Sequence, residues 1–415
     1  VSDEALRALE REVKANPTDL RAGRELLRAL ERTGATARAR EELVRLARVG
    51  DADARSKVAH EGAPRPGLHE AGVRRGVAHP ERARKRVQRV GLDHFARLLG
   101  ATDDLLLFAD RERTVAIDAV TLAERWTLVP PCAAAALGRR VSFQLVGPVI
   151  RAVNAIGRRL GGFECEGHPL RYAAHGDQGV FILDVAGQYR LVALEAGRSE
   201  PTWSQPVACF EADLALVPER IALAVRTLRE VGGRTGEPGP SQLVCLDAAS
   251  GAPRWQRDFP GSIYLQAADV LGFLVSSPEG VFHLDAGTAK ETVFAPQSAL
   301  VMARTDFEHV LVGARRRLEL FERATGKMVW AVPNEAVQVG DSLLAGAHVW
   351  TVVSDEPGRM TVAALSGEDG RVVASWEETI PTEHDLTLTL VPLDGAVVAC
   401  AVFNGSALLL RIEEG

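Results

Sequence analysis

A mainly β ring of eight four-stranded blades, an eight-bladed β-propeller with seven blades as the alternative, is the fold this sequence predicts. A small α-helical hairpin precedes it. Three observations carry the prediction. A hairpin unit, clearest in LVCLDAASGAPRWQRDF (243–259), returns along the chain at gaps of 37 to 52 residues. One position of that unit holds five of the six tryptophans. An apolar strand precedes each copy and another opens it, eight times over. Periods near 40 residues built from short strands suit a propeller, where each repeat is roughly one blade.

Within the unit, an apolar run ends at Asp247, a small-residue turn follows through Gly251, and a second segment carries Trp255. An aspartate hydrogen-bonds turn amides and a glycine takes φ > 0 without strain, so the pair reads as a hairpin. Aligned on Trp255, the other copies place Trp126, Phe163, Trp203, Val293, Trp330 and Trp376 at the same anchor. An acidic residue stands eight positions earlier in five copies, at Asp118, Glu195, Asp247, Asp285 and Glu322; beside Trp376, Ser366 is the expected equivalent. The expected role of each anchor is a wedge of apolar area between neighbouring blades. Trp350, in HVWTVV, stands off the pattern and is a candidate for a surface or central-channel contact, with the core as the plainer expectation.

The strands ahead of the hairpins run from 105–110 to 396–403, and those that open them from 114–119 to 407–412. The last copy stops after its third strand. An N-terminal strand is therefore expected to supply the fourth and hide the open edges, and 86–91 is the candidate.

The pattern Ala-x-Asp-x-x-(x)-Gly-x-x-x-Trp is carried by LDAASGAPRW (246–255), by ERATGKMVW (322–330) and, without the glycine, by IDAVTLAERW (117–126). It resembles the repeat of the quinoprotein-like propellers, the PQQ repeat, from about Leu92 to the C-terminus. The resemblance implies the propeller fold. Dehydrogenases of that family hold the quinone over the central axis, with calcium ligands from Glu, Asn and Asp and often a vicinal disulfide. This sequence has no adjacent cysteines, and no active-site residue carries over to it. Outer-membrane assembly lipoproteins with eight blades of similar repeat are a further resemblance. They carry a lipoprotein signal and cysteine that this chain is not expected to have.

Composition bounds the rest. The 415 residues suffice for a propeller plus a small second unit, and no apolar run approaches the roughly 18 residues of a membrane span. Five scattered cysteines (Cys132, Cys165, Cys209, Cys245, Cys400) contain no CxxC pair, so neither a zinc site nor a disulfide framework is indicated. The expectation is a cytoplasmic chain, or a periplasmic or envelope one where an upstream signal exists. Residues 1–100 carry a net charge of +7 and the remainder −13.

Residues 1–50 read as helices with apolar faces at Leu6, Leu9 and Val13, at Leu20, Leu27 and Leu30, and at Leu43, Leu46 and Val49. They resemble a short tetratricopeptide-like array, with a plain three-helix cap as the alternative. Residues 51–91 read as a basic linker ending in the candidate closing strand, and 92–415 as the propeller. Arg82, Arg84, Lys85, Arg86 and Arg89 form a basic run that is a candidate interaction surface. It lacks interleaved aromatics, so a solvated face is expected rather than a nucleic-acid site. His60, His69, His79 and His94 lack ligand spacing, and 231–240 reads as a long polar turn.

No Ser-His-Asp order, P-loop or dinucleotide fingerprint is present. The expected function is a non-catalytic protein-interaction scaffold with no cofactor or metal and with other proteins as partners. A quinone-dependent dehydrogenase and an envelope assembly factor are the alternatives.

Overall fold

Apolar runs bounded by Gly, Asp and Ser turns pair with their sequence neighbours, and the result is a ring of eight sheets. The computed structural model describes residues 3–16, 19–33, 42, 46, 69–70 and 77–413, the last apart from 93–95, 103, 139–140, 209–210, 232–233, 295–299, 315–316, 334–337, 355–357, 382–385, 394 and 404–405. The chain divides into two compact units, Val1–Glu61 and Gly62–Gly415.

In the first unit, α1 (Asp3–Ala15) is followed by α2 (Leu20–Thr33). The Asp19 Oδ1 atom accepts the amides of Arg21 at 2.9 Å and Ala22 at 3.1 Å, which caps α2. Val13, Leu26, Leu27 and Leu30 are buried, as the apolar spacing requires. The expected third helix falls on 34–50, of which only 42 and 46 lie among the described residues.

In the second unit, blades 1 to 7 span 97–128, 134–164, 168–207, 211–259, 264–294, 300–333 and 338–379, each a four-stranded antiparallel meander. Blade 8 takes three strands from 387–413 and its fourth from Arg84–Gly91. That strand pairs antiparallel with Ser406–Glu413, Arg84 opposite Glu413 and Gly91 opposite Ser406. An N-terminal segment thus closes the ring. First strands of successive blades neighbour one another and form the inner wall. His69–Glu70 pairs in parallel with Tyr264–Ala268, at the inner edge of blade 5.

The segment 231–240 is not a turn. Blade 4 extends its central strands to Arg220–Val231 and Arg234–Asp247, paired out to Val231 opposite Arg234. Pro238 sits opposite Leu228 beside a slip in register. A ribbon that leaves the ring meets its backbone hydrogen bonds internally, so a polar sequence can continue it.

The repeat motif builds a joint between blades. The Asp247 Oδ1 atom accepts the amides of Ala249 and Ser250 at 3.1 and 3.0 Å, and Asp285 Oδ1 accepts those of Gly287 and Thr288 at 3.0 and 2.8 Å. Asp118 does the same with Val120 and Thr121, and Asn154 with Ile156 and Arg158. Each folded turn presents the carbonyl of the next residue to the blade before it. The indole Nε1–H groups of Trp126, Trp203, Trp255 and Trp330 donate to Ala155, Ala248, Ala286 and Gly367, at 2.9 to 3.0 Å. Gly251, at φ 73°, lies flat on the indole of Trp203, where a Cβ would come within 2.9 Å of the ring.

Three anchors of the alignment do not make this joint. By register, Trp126, Trp203, Trp255 and Trp330 stand opposite the residue two before the turn acid or its equivalent; three of them directly follow a bulge. In blade 2 that place belongs to Gly161, with Phe163 two residues on. In blade 7 it belongs to Ala374, and Trp376 instead stacks on Trp350 with ring centroids 5.6 Å apart. In blade 5 Thr292 stands there, and Val293 is largely exposed. Trp350 is fully buried, its Nε1–H donating to Ala345, so it has no surface or channel role.

At the closure, Arg86 stands opposite Arg411, the place an indole takes in other blades. There the Arg411 Nη1 atom donates to the Ala119 carbonyl at 2.7 Å. Blade 1 accordingly has Leu122 where blades 4, 6 and 7 have Gly251, Gly326 and Gly370, and its buried side chain packs in the cluster between blades 8 and 1.

Trp255→Ala is expected to lower the unfolding free energy by about 3–5 kcal/mol, and Trp255→Phe, which keeps a ring but drops the donor, by about 1–2 kcal/mol; urea titration measures both. A second expectation concerns pH. The Arg254 guanidinium, opposed by burial and aided by Ser250, holds the Asp247 carboxyl below its ordinary 3.8. Its charge therefore stabilises the fold above pH 3.8, and that part is lost as pH falls through the lower folded value. Asp247→Asn should keep the turn, as Asn154 does, and its deficit against the parent should shrink below pH 3.8 when thermal midpoints are compared.

Candidate functional site

Charged side chains on the inner strands, and Arg226 on the strand behind one of them, tie blades together. The Arg226 guanidinium, 4% exposed, donates to Asp213 Oδ2 at 2.7 Å, to Glu211 Oε2 at 3.1 Å and to the carbonyl of Ile263, the residue before blade 5, at 2.8 Å. Asp213 also accepts the Leu265 amide at 3.1 Å, and Tyr264 lies over the guanidinium at 4.5 Å. Burial pulls the Arg226 pKa down, but the bonds to Asp213 and Glu211 outweigh it and hold it above its ordinary value. Blades 6 to 8 repeat the device: Asp341 meets Arg304 at 3.1 Å and accepts the Leu390 amide at 3.2 Å. The Arg97 guanidinium donates to the Ala133 carbonyl between blades 1 and 2.

The junction of blades 5 and 6 lacks an indole joint and buries an ion pair instead. Arg323, 4% exposed, donates to Asp269 Oδ2 at 2.6 Å and Oδ1 at 2.9 Å, Asp269 being fully buried. Arg323 also donates to the Asp306 carbonyl at 2.7 Å and lies 2.6 Å from His283 Nε2. A guanidinium has no acceptor, so that ring nitrogen accepts.

These residues do not fit the quinone and calcium that the family resemblance implies. Glu211, Asp213 and Asp341 are engaged by guanidinium groups, and the two aspartates also accept inner-strand amides. Among the described residues, no three His, Cys, Asp or Glu side chains gather where a metal ion could sit. Burial pushes the thiols of Cys165 and Cys245 up to about 11 and that of Cys400 to about 12, so they stay protonated. Cys132 is also buried and unpaired, and Cys209 lies outside the described residues.

The basic run mostly belongs to the closure. Lys85 Nζ meets Glu378 at 2.6 Å on blade 7; Arg86 reaches Glu413 at 3.3 Å and the Val120 carbonyl of blade 1. Arg82 lies 3.9 Å from Glu81, and Arg82, Arg84 and Arg89 are exposed. The repeat acids Glu195 and Glu322 stay on their own turns, bonded to Arg198 and Thr325.

An open groove of 220 Å3 lies between blades 2 and 3. Its floor is Phe163, Leu183, Val185, Val192 and Pro201. Glu164, Glu166, Arg190 and Ser204 are exposed at its rim. This junction has Gly161 in the place of an indole, and a Cβ there would meet the Arg198 carbonyl at 3.3 Å. Reading the sequence by tryptophan spacing put Phe163 in that place and so hid the groove. The glycine pair Gly161-Gly162 was the available signal.

Asp269→Ala should cost at least about 3–5 kcal/mol by leaving Arg323 buried without its carboxylate, whereas Asp269→Asn with Arg323→Met, which keeps an acceptor for the Leu271 and Gly272 amides, should cost less; unfolding midpoints of the two proteins decide it.

Neither a protein-family model nor a curated protein matches the sequence. Solved structures do match in fold. BamB from Moraxella catarrhalis superposes with a TM-score of 0.55 at 14% identity, over 79% of this chain and 99% of that one. The quinohemoprotein alcohol dehydrogenase from Comamonas testosteroni gives 0.60 at 11% identity, over 89% and 83%. The computationally designed Ika8 protein gives 0.59 at 12%, over 78% and 98%. The chain is an eight-bladed β-propeller, a fold it shares with these structures.

Proposed function

We propose that this chain is a non-catalytic scaffold that binds other proteins through the outside of its propeller, the N-terminal helical pair, read as tetratricopeptide-like, adding a second surface. The observation that carries the reading is the groove between blades 2 and 3: an apolar floor open to solvent beneath a charged rim. Apolar surface left uncovered beside polar rims is what protein-contact sites present. The inner wall supports the same reading, since its acids and guanidinium groups are engaged in holding blades together. Among the described residues no helix is long and apolar enough to cross a membrane.

The test is photo-crosslinking of the full chain in its native cells, with benzoylphenylalanine placed at Ser204 on the groove and, separately, at Tyr264 on the inner strand of blade 5. A discrete protein adduct of reproducible mass from Ser204 and none from Tyr264 is expected. Absence of adducts at both positions, together with a saturable absorbance change and alcohol oxidation on adding the quinone with calcium, would overturn the reading.

A further inference from the structure

The groove between blades 2 and 3 shows what kind of segment it takes. Its 220 Å3 is too small for a drug-sized ligand, whose pockets run from about 300 to 1,000 Å3. It is also more than ten times the roughly 10–15 Å3 that a single structural water needs. That leaves room for one large side chain. The floor is apolar and includes a phenyl ring, Phe163, which favours an aromatic guest stacked edge or offset.

Charge narrows the guest further. Glu164, which ends its strand, and Glu166, in the bend after it, flank the buried Cys165 and both reach the rim. Neither carboxylate has an ion-pair partner among the described residues, and neither does Arg190 across the groove. Two carboxylates against one guanidinium leave the rim net negative. The groove also opens beside two sheet edges, since Phe163 and Glu164 lie on Arg159–Glu164 and Ser204 on Trp203–Val207, the outermost strands of their blades. An extended backbone suits such an edge.

We propose that this groove receives an extended segment of a partner protein, which buries one aromatic side chain against Phe163 and Val192 and sets a lysine or arginine two residues along beside Glu164 and Glu166. The assignment rests on the binding-scaffold reading and gives it a ligand class. The four indole joints point the same way. At those junctions the chain supplies its own indole at the anchor, and at this one Gly161 holds that place.

The experiment titrates the full chain into three acetylated, amidated pentapeptides followed by saturation-transfer NMR. Their sequences are Ser-Trp-Thr-Arg-Ser, the same with Ala for Trp, and the same with Glu for Arg. Only the Trp and Arg peptide is expected to saturate. Ser204→Trp, an exposed position whose new ring fills the groove, should abolish binding at unchanged thermal midpoint. Glu164→Lys with Glu166→Lys should weaken it at least tenfold at low salt and less at high salt. Equal binding of all three peptides, no binding of any, or binding untouched by the charge reversal would overturn the proposal; should Ser204→Trp lower the thermal midpoint, the charge reversal alone decides. Crosslinked adducts from other surface positions that persist in the Glu164→Lys, Glu166→Lys protein would sink the groove while leaving the scaffold standing. Loss of every adduct and every peptide contact in the parent chain would sink both.

Discussion

The ring depends on one hydrogen bond made four times: an indole N–H reaching the carbonyl that a turn on the next blade holds out to it. The acceptor is in place only because an aspartate, asparagine or serine has first folded that turn by taking its amides. Local turn chemistry and packing between blades are thus one device. An indole lying across the seam removes a large apolar area from water, while the bond fixes its orientation. Neither part would specify the junction alone, since apolar area is indifferent to direction and a lone exposed hydrogen bond is weak.

The seams without this bond show what can stand in for it. Between blades 5 and 6 the substitute is a buried ion pair, Arg323 with Asp269. Between blades 8 and 1 it is Arg411 on the Ala119 carbonyl, with Leu122 packed in the cluster between those blades. Between blades 7 and 8 two stacked indoles belong to blade 7 itself. A guanidinium can replace an indole because both bring a planar face and an N–H donor, although the guanidinium needs a counter-charge where it is buried.

Blade number, the second and third strands and the closing role of an N-terminal strand were legible in the sequence, because a two-residue alternation and Gly-Asp turns are local signals. The site was less so. Trp376 stands eleven residues beyond Leu365 at the end of a longer hairpin, and only the bulge beside Val372 shows that Ala374 holds the anchor. Spacing alone cannot place a bulge, which inserts a residue without changing composition. Asp269 and Arg323 are 54 residues apart, so nothing in either neighbourhood announces their pairing. The groove was hidden for a related reason: its defining feature is the side chain that Gly161 lacks.

Closure by Arg84–Gly91 has a consequence during synthesis. The strand leaves the ribosome roughly 300 residues before its partner Ser406–Glu413, which at 5–20 residues per second is a wait of about 15–60 s. Throughout that interval a nascent strand edge stands without its mate. Arg84, Lys85, Arg86 and Arg89 give it a dense cationic character, which discourages association with other strands until the C-terminal end arrives. The cations that later clasp the finished ring thus also serve as gatekeepers for the unfinished one.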